Sequence, residues 1–90
     1  WNRDAEIDVL AINLTEKIAL VGECKWTIHP VGSGVLEDLK QKADILMKDH
    51  EIKQVRYAIF ARNGFTADLV EKSESEGNYL FTVDTLVNPI

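Results

Sequence analysis

Residues 6–26 read EIDVLAINLTEKIALVGECKW. Two apolar runs rich in β-branched residues, 5–13 and 18–26, flank the polar stretch NLTEK, which predicts a β-hairpin. The second run is apolar until its far end, where Glu23 and Lys25 interrupt it. An acid and a base on a core strand are costly unless they are paired or used.

Side chains alternate along a strand, so Glu23 and Lys25 share one face and Cys24 points to the other. With Leu14 to Lys17 as the loop, Asn13 faces Ile18. Counting back along both strands then sets Asp8 opposite Glu23 and Glu6 opposite Lys25. Directly opposed residues have Cβ atoms roughly 4.5–5.5 Å apart, and like charges so placed repel unless something positive lies between them. Two converging carboxylates offer the hard oxygen ligands that Mg²⁺ or Mn²⁺ prefers. A lysine beside them can steady developing negative charge or orient a water. Two other readings stay open: a Glu6–Lys25 ion pair across the strands, and a one-residue slip that turns Asp8 to the opposite face.

The triplet alone carries no signal, because Asp38-Leu39-Lys40 and Glu51-Ile52-Lys53 have the same form. The former falls mid-helix, where positions i and i+2 diverge, and the latter in a polar connection. Glu23-Cys24-Lys25 differs in lying on a strand with another acid brought opposite by a hairpin.

Beyond the hairpin, TIHPVGSG is a loop by its Pro30, Gly32 and Gly34. Apolar residues at 36, 39, 43 and 46 predict a helix capped by Ser33 or Gly34 and running to about His50. Asp38–Lys42 and Asp44–Lys48 are acid-then-base pairs at helical spacing that support it. VRYAIFA, 55–61, is a strand with Tyr57 and Ile59 on one face and Ala58 and Phe60 on the other. Thr66 caps a short helix to about Ser75, and NYLFTVDTLV closes with a strand. The order β-β-α-β-α-β implies crossovers, parallel neighbours and a mixed sheet flanked by helices, an α/β fold.

Ninety residues suit a single domain, 1–90, and the balance of 46% apolar to 28% charged residues fits a folded chain rather than a disordered one. The longest apolar run is too short to span a membrane, no leader is expected, and one cysteine suits a reducing cytoplasm. The net charge of −5 argues against a chain that grips phosphates all over its surface. Residues 1–37 carry six acids against three bases and 64–90 five against one. The middle, 38–63, holds six bases (Lys40, Lys42, Lys48, Lys53, Arg56, Arg62) against four acids, and is the candidate surface for a polyanion.

EIDV, fourteen residues between Asp8 and Glu23, and then GECKW before a loop and a helix together resemble the PD-(D/E)XK nuclease superfamily. More narrowly, LVGECKW, FARNGF and FTVDTLV resemble the C-terminal nuclease-like domain attached to archaeal and bacterial AAA-type ATPases. The resemblance covers nearly the whole chain. It implies a restriction-endonuclease-like fold lacking the family's N-terminal helix and first strand, as a C-terminal fragment of a longer ATPase. It also implies that Asp8 and Glu23, with Glu6 as a further option, bind Mg²⁺ or Mn²⁺ while Lys25 assists hydrolysis of DNA phosphodiesters. The expected partners are DNA and the ATPase of the same chain, with a homo-oligomer admitted and no membrane. A catalytically silent module that serves binding or assembly of the ATPase is the alternative.

Other residues read as structural. His29 and His50 lack partners at zinc-ligand spacing. Cys24 reads as a buried thiol rather than a nucleophile. Ser33 in VGSG lacks a nucleophile elbow, and GSG is too short for a phosphate loop. Phe60 and Phe65 read as core residues, and Trp1 and Trp26 as packing at the hairpin ends, with the option that a ring shields Lys25. Arg62 and Asn63 read chiefly as turn residues, although strand ends in parallel sheets often carry sites.

Overall fold

Strands β1 (Val9–Asn13) and β2 (Ile18–Lys25) form the hairpin, paired antiparallel from Asn13↔Ile18 to Val9↔Gly22. The structure, a computed structural model, describes residues 8–48 and 50–82. The turn closes through Lys17, which takes a left-handed φ of 63°, and through the Glu16 amide, which donates to Asn13 Oδ1 at 3.0 Å. Expected strand residues 5–7, with Glu6 among them, lie outside the described residues, as does Trp1.

Helix α1 (Ser33–Met47) crosses to β3 (Gln54–Ala61), which lies parallel to β2; α2 (Ala67–Glu76) crosses to β4 (Tyr79–Thr82), parallel to β3. The sheet is mixed, in the order β1-β2-β3-β4. Parallel crossovers are right-handed, so two that advance in the same direction leave both helices on one face. On that face Val21, Leu36, Leu39, Ala43, Ile59 and Leu69 form the buried core. Ion pairs Lys40–Glu76 (2.8 Å) and Lys72–Glu37 join the helices, and the Ser33 hydroxyl donates to Asp68 at 2.8 Å. These contacts, together with the Thr66 hydroxyl, hold the Glu37, Glu76 and Asp68 carboxyls below their ordinary range.

The element order matches the sequence, with shifts at the helix ends. Gly32, rather than Ser33 or Gly34, is the N-cap of α1, because the Ser33 hydroxyl is directed to α2. The buried stripe ends on Met47 rather than Leu46, and the helix stops there instead of at His50. The connection has to bring the Lys53 and Gln54 amides to the Lys17 carbonyl, at 2.8 and 3.2 Å, to start β3. Thr66 does stand at the N-cap of α2. Expected strand residues 83–87 lie outside the described residues.

Gly22 marks a close approach of both neighbouring strands. A Cβ there would meet Val9 Cβ at 3.1 Å and the Ala58 carbonyl at 3.3 Å. Its lack of a side chain lets β1 lie close at the point where Asp8 leaves the ladder. Among the described residues, no helix is long and apolar enough to cross a membrane.

Candidate functional site

The helix-covered face of β2 presents Ala19, Val21, Glu23 and Lys25 in succession. Ala19 and Val21 are fully buried, and Glu23 is 7% exposed. Among the described residues, the buried polar side chains are Glu23 and Ser73. A carboxylate taken out of water needs compensation. Glu23 finds it in Lys42, whose Nζ donates to Oε1 at 2.9 Å, and in Lys25, whose Nζ lies 3.9 Å from Oε2.

Lys42 is the residue that sequence reasoning missed. It sits on the flank of the buried stripe, between Leu39 and Ala43. From there its stem runs along the apolar layer and its ammonium reaches β2. The signal was present in its position: a lysine three residues after a core leucine points toward the sheet as readily as along the helix.

Asp8 stands one step before the last pair of the ladder, Val9↔Gly22, which brings it to the level of Glu23. Its Oδ2 accepts a hydrogen bond of 2.8 Å from the Cys24 backbone N–H, so a side-chain oxygen ties the end of β2 to the start of the hairpin. Asp8, Glu23, Lys25 and Lys42 therefore meet at one end of the hairpin. Among the described residues, no cluster of three or more metal-ligating His, Cys, Asp or Glu side chains gathers. Two carboxylates from neighbouring strands nevertheless suit Mg²⁺, which takes one or two protein oxygens and keeps water or phosphate on its remaining positions.

Two burial expectations are corrected. Cys24 is exposed, not buried, because both helices lie on the opposite face. Trp26 is 70% exposed and does not pack against the hairpin end. Phe60, expected as a core residue, stacks on Phe81 on the face opposite α1 and α2, with centroids 5.0 Å apart; Phe65 does pack against the core. Asn63 is a turn residue as expected, its Nδ2 donating to the Ile28 carbonyl at 2.8 Å, while Arg62 is exposed. Within the basic stretch 38–63, Lys40 and Lys42 pair with Glu76 and Glu23.

Partial desolvation, and then the negative charges of Asp8 and Glu23, push the Cys24 thiol pKa above its ordinary value. A raised pKa leaves less thiolate at neutral pH. Alkylation of Cys24 near pH 8 is therefore expected to be slow, and Asp8→Asn to speed it a few-fold by moving the profile to lower pH. Superimposable pH–rate profiles for the two proteins would remove Asp8 as a charge acting on this thiol.

No curated protein and no solved structure matches the chain. A family model described as archaeal and bacterial proteins of unknown function, DUF234, matches residues 1–55, a stretch that holds Asp8, Glu23, Lys25 and Lys42. With more than half of its length matched, the chain belongs to that family.

Proposed function

We propose that this domain hydrolyses DNA phosphodiesters with Mg²⁺ or Mn²⁺, as part of a chain that also carries an AAA-type ATPase. The observation that supports this most is the arrival of Asp8, Glu23 and Lys25 at one end of the hairpin. The ATPase rests on the sequence resemblance. Asp8 and Glu23 would hold the cation, which when bound polarises a phosphoryl oxygen and acidifies water. Lys25 supplies a fixed positive charge toward a phosphate oxygen or an attacking water and is not itself a ligand. The apolar layer behind Glu23 keeps water from its inner side, so the charges act in a medium of low dielectric. The test is cleavage of supercoiled, linear and branched DNA by the complete protein with either cation.

One observation favours the silent module. Glu23 already has Lys42 at 2.9 Å, which satisfies a buried carboxylate with no cation at all. Under the hydrolase reading Lys42 and the cation compete for Glu23. Lys42→Met is then expected to lower metal-free stability and to enlarge the rise in Tm that millimolar Mg²⁺ or Mn²⁺ produces, because a tighter cation stabilises more at the same concentration. Equal cation-induced shifts in wild type and Lys42→Met would mean that Glu23 serves Lys42 and not a metal.

A further inference from the structure

At the carboxyl ends of β2 and β3, on the face opposite α1 and α2, Trp26, Phe60, Arg62 and Phe81 line a cleft of about 90 Å³. Its floor is the stacked Phe60–Phe81 pair, with ring planes 21° apart. Trp26 and Arg62 stand at its rim as neighbours just past the ladder, because Lys25 pairs with Ala61 and the Arg62 amide donates to the Lys25 carbonyl at 3.1 Å.

The backbone around Trp26 is held. The Thr27 hydroxyl donates to the His29 carbonyl at 2.9 Å, Asn63 holds Ile28, and Val31 bridges to Phe65. Trp26 thus stands 70% exposed on a held backbone beside the Phe60–Phe81 pair.

We infer that this cleft seats an unpaired base of the nucleic-acid strand whose phosphate lies at Lys25. The inference rests on the proposed function only in that nucleic acid reaches Lys25. Lys25 also lines this cleft, so a strand with a phosphate beside Lys25 has its attached base at the cleft's edge, next to Trp26. There the indole and the Phe60–Phe81 pair offer ring faces, and the Arg62 guanidinium offers positive charge to the next phosphate. Base–aromatic stacking of this kind tolerates any sequence and requires a base free of its partner. A base paired within a duplex keeps its faces stacked on its neighbours and cannot present one to Trp26. The substrate class that fits is therefore DNA or RNA with unpaired nucleotides at the cut: single strands, gaps, flaps or branch points. A continuous duplex does not fit.

The test is equilibrium binding by the complete protein in EDTA, where metal-dependent cleavage is silent. The probes are an oligothymidine strand, the same strand as a blunt duplex, and a duplex interrupted by a short gap. Wild type is expected to bind the single-stranded and gapped probes about tenfold more tightly than the duplex. Trp26→Ala brings that ratio close to one with duplex affinity retained, and Trp26→Phe keeps most of it. A fluorescent purine analogue in the gap is quenched by wild type and not by Trp26→Ala. A ratio unchanged in Trp26→Ala, no preference in wild type, or no measurable binding overturns the inference. Adding Mg²⁺ or Mn²⁺ separates the two readings. Trp26-dependent preference without cleavage sinks the hydrolase and leaves the cleft assigned, while cleavage with a preference indifferent to Trp26 does the reverse.

Discussion

Asp8→Asn or Glu23→Gln in the complete protein is expected to reduce Mg²⁺-dependent DNA cleavage by at least about 10²-fold, a loss of the order that follows removal of one charge-stabilising group from an active site. Each variant removes one of two carboxylates at the same end of the hairpin, and with it an oxygen that would hold the cation under the hydrolase reading. Lys25→Ala is expected to lose a similar factor in rate yet keep the cation-induced rise in Tm, because lysine carries charge to the reaction and no ligand to the metal. This split separates holding the ion from using it. The ninety residues alone, with a net charge of −5 and with Lys40 and Lys42 already paired to acids, are expected to bind DNA weakly. The comparison therefore belongs in the complete protein. If wild type and all three variants are equally inert on every substrate while ATPase activity persists, the silent module stands.

Leu39→Ala should cost about 3 kcal/mol, with a fall in Tm of roughly 10–20 °C for a domain of this size. Leu39 is fully buried in α1 within the cluster that includes Val21, Ile59 and Leu69. Removing its branched end therefore opens a cavity in the single layer between helices and sheet. Leu10 is the control. It lies on the same face of the sheet but on β1, which the helices do not cover, and is 46% exposed. Leu10→Ala should change Tm by a few degrees at most. Melts that show equal losses for the two variants would place the core elsewhere.

The order of elements and the hairpin register were legible because both are local. The polar loop fixes Asn13 opposite Ile18, and period-two alternation does the rest. The covered face was not legible in the same way. Alternation divides Cys24 from Glu23 but does not say which of them the helices cover; that is decided by two crossovers advancing in one direction. Cys24 and Trp26 were misplaced for this reason. The reach of Lys42 to Glu23 was not legible because Glu23, nineteen positions away, becomes a neighbour only when α1 docks on β2.

The hydrogen bond from the Cys24 amide to Asp8 also bears on how selectively this end of the hairpin can receive an ion. A free aspartate surrenders rotational freedom when it coordinates, and that loss subtracts from affinity. Here folding has already selected one rotamer of Asp8 and left its second oxygen as the adjustable one. Preorganisation of this kind rewards a cation that demands strict octahedral geometry, such as Mg²⁺, over Ca²⁺, whose looser coordination gains little from a fixed ligand.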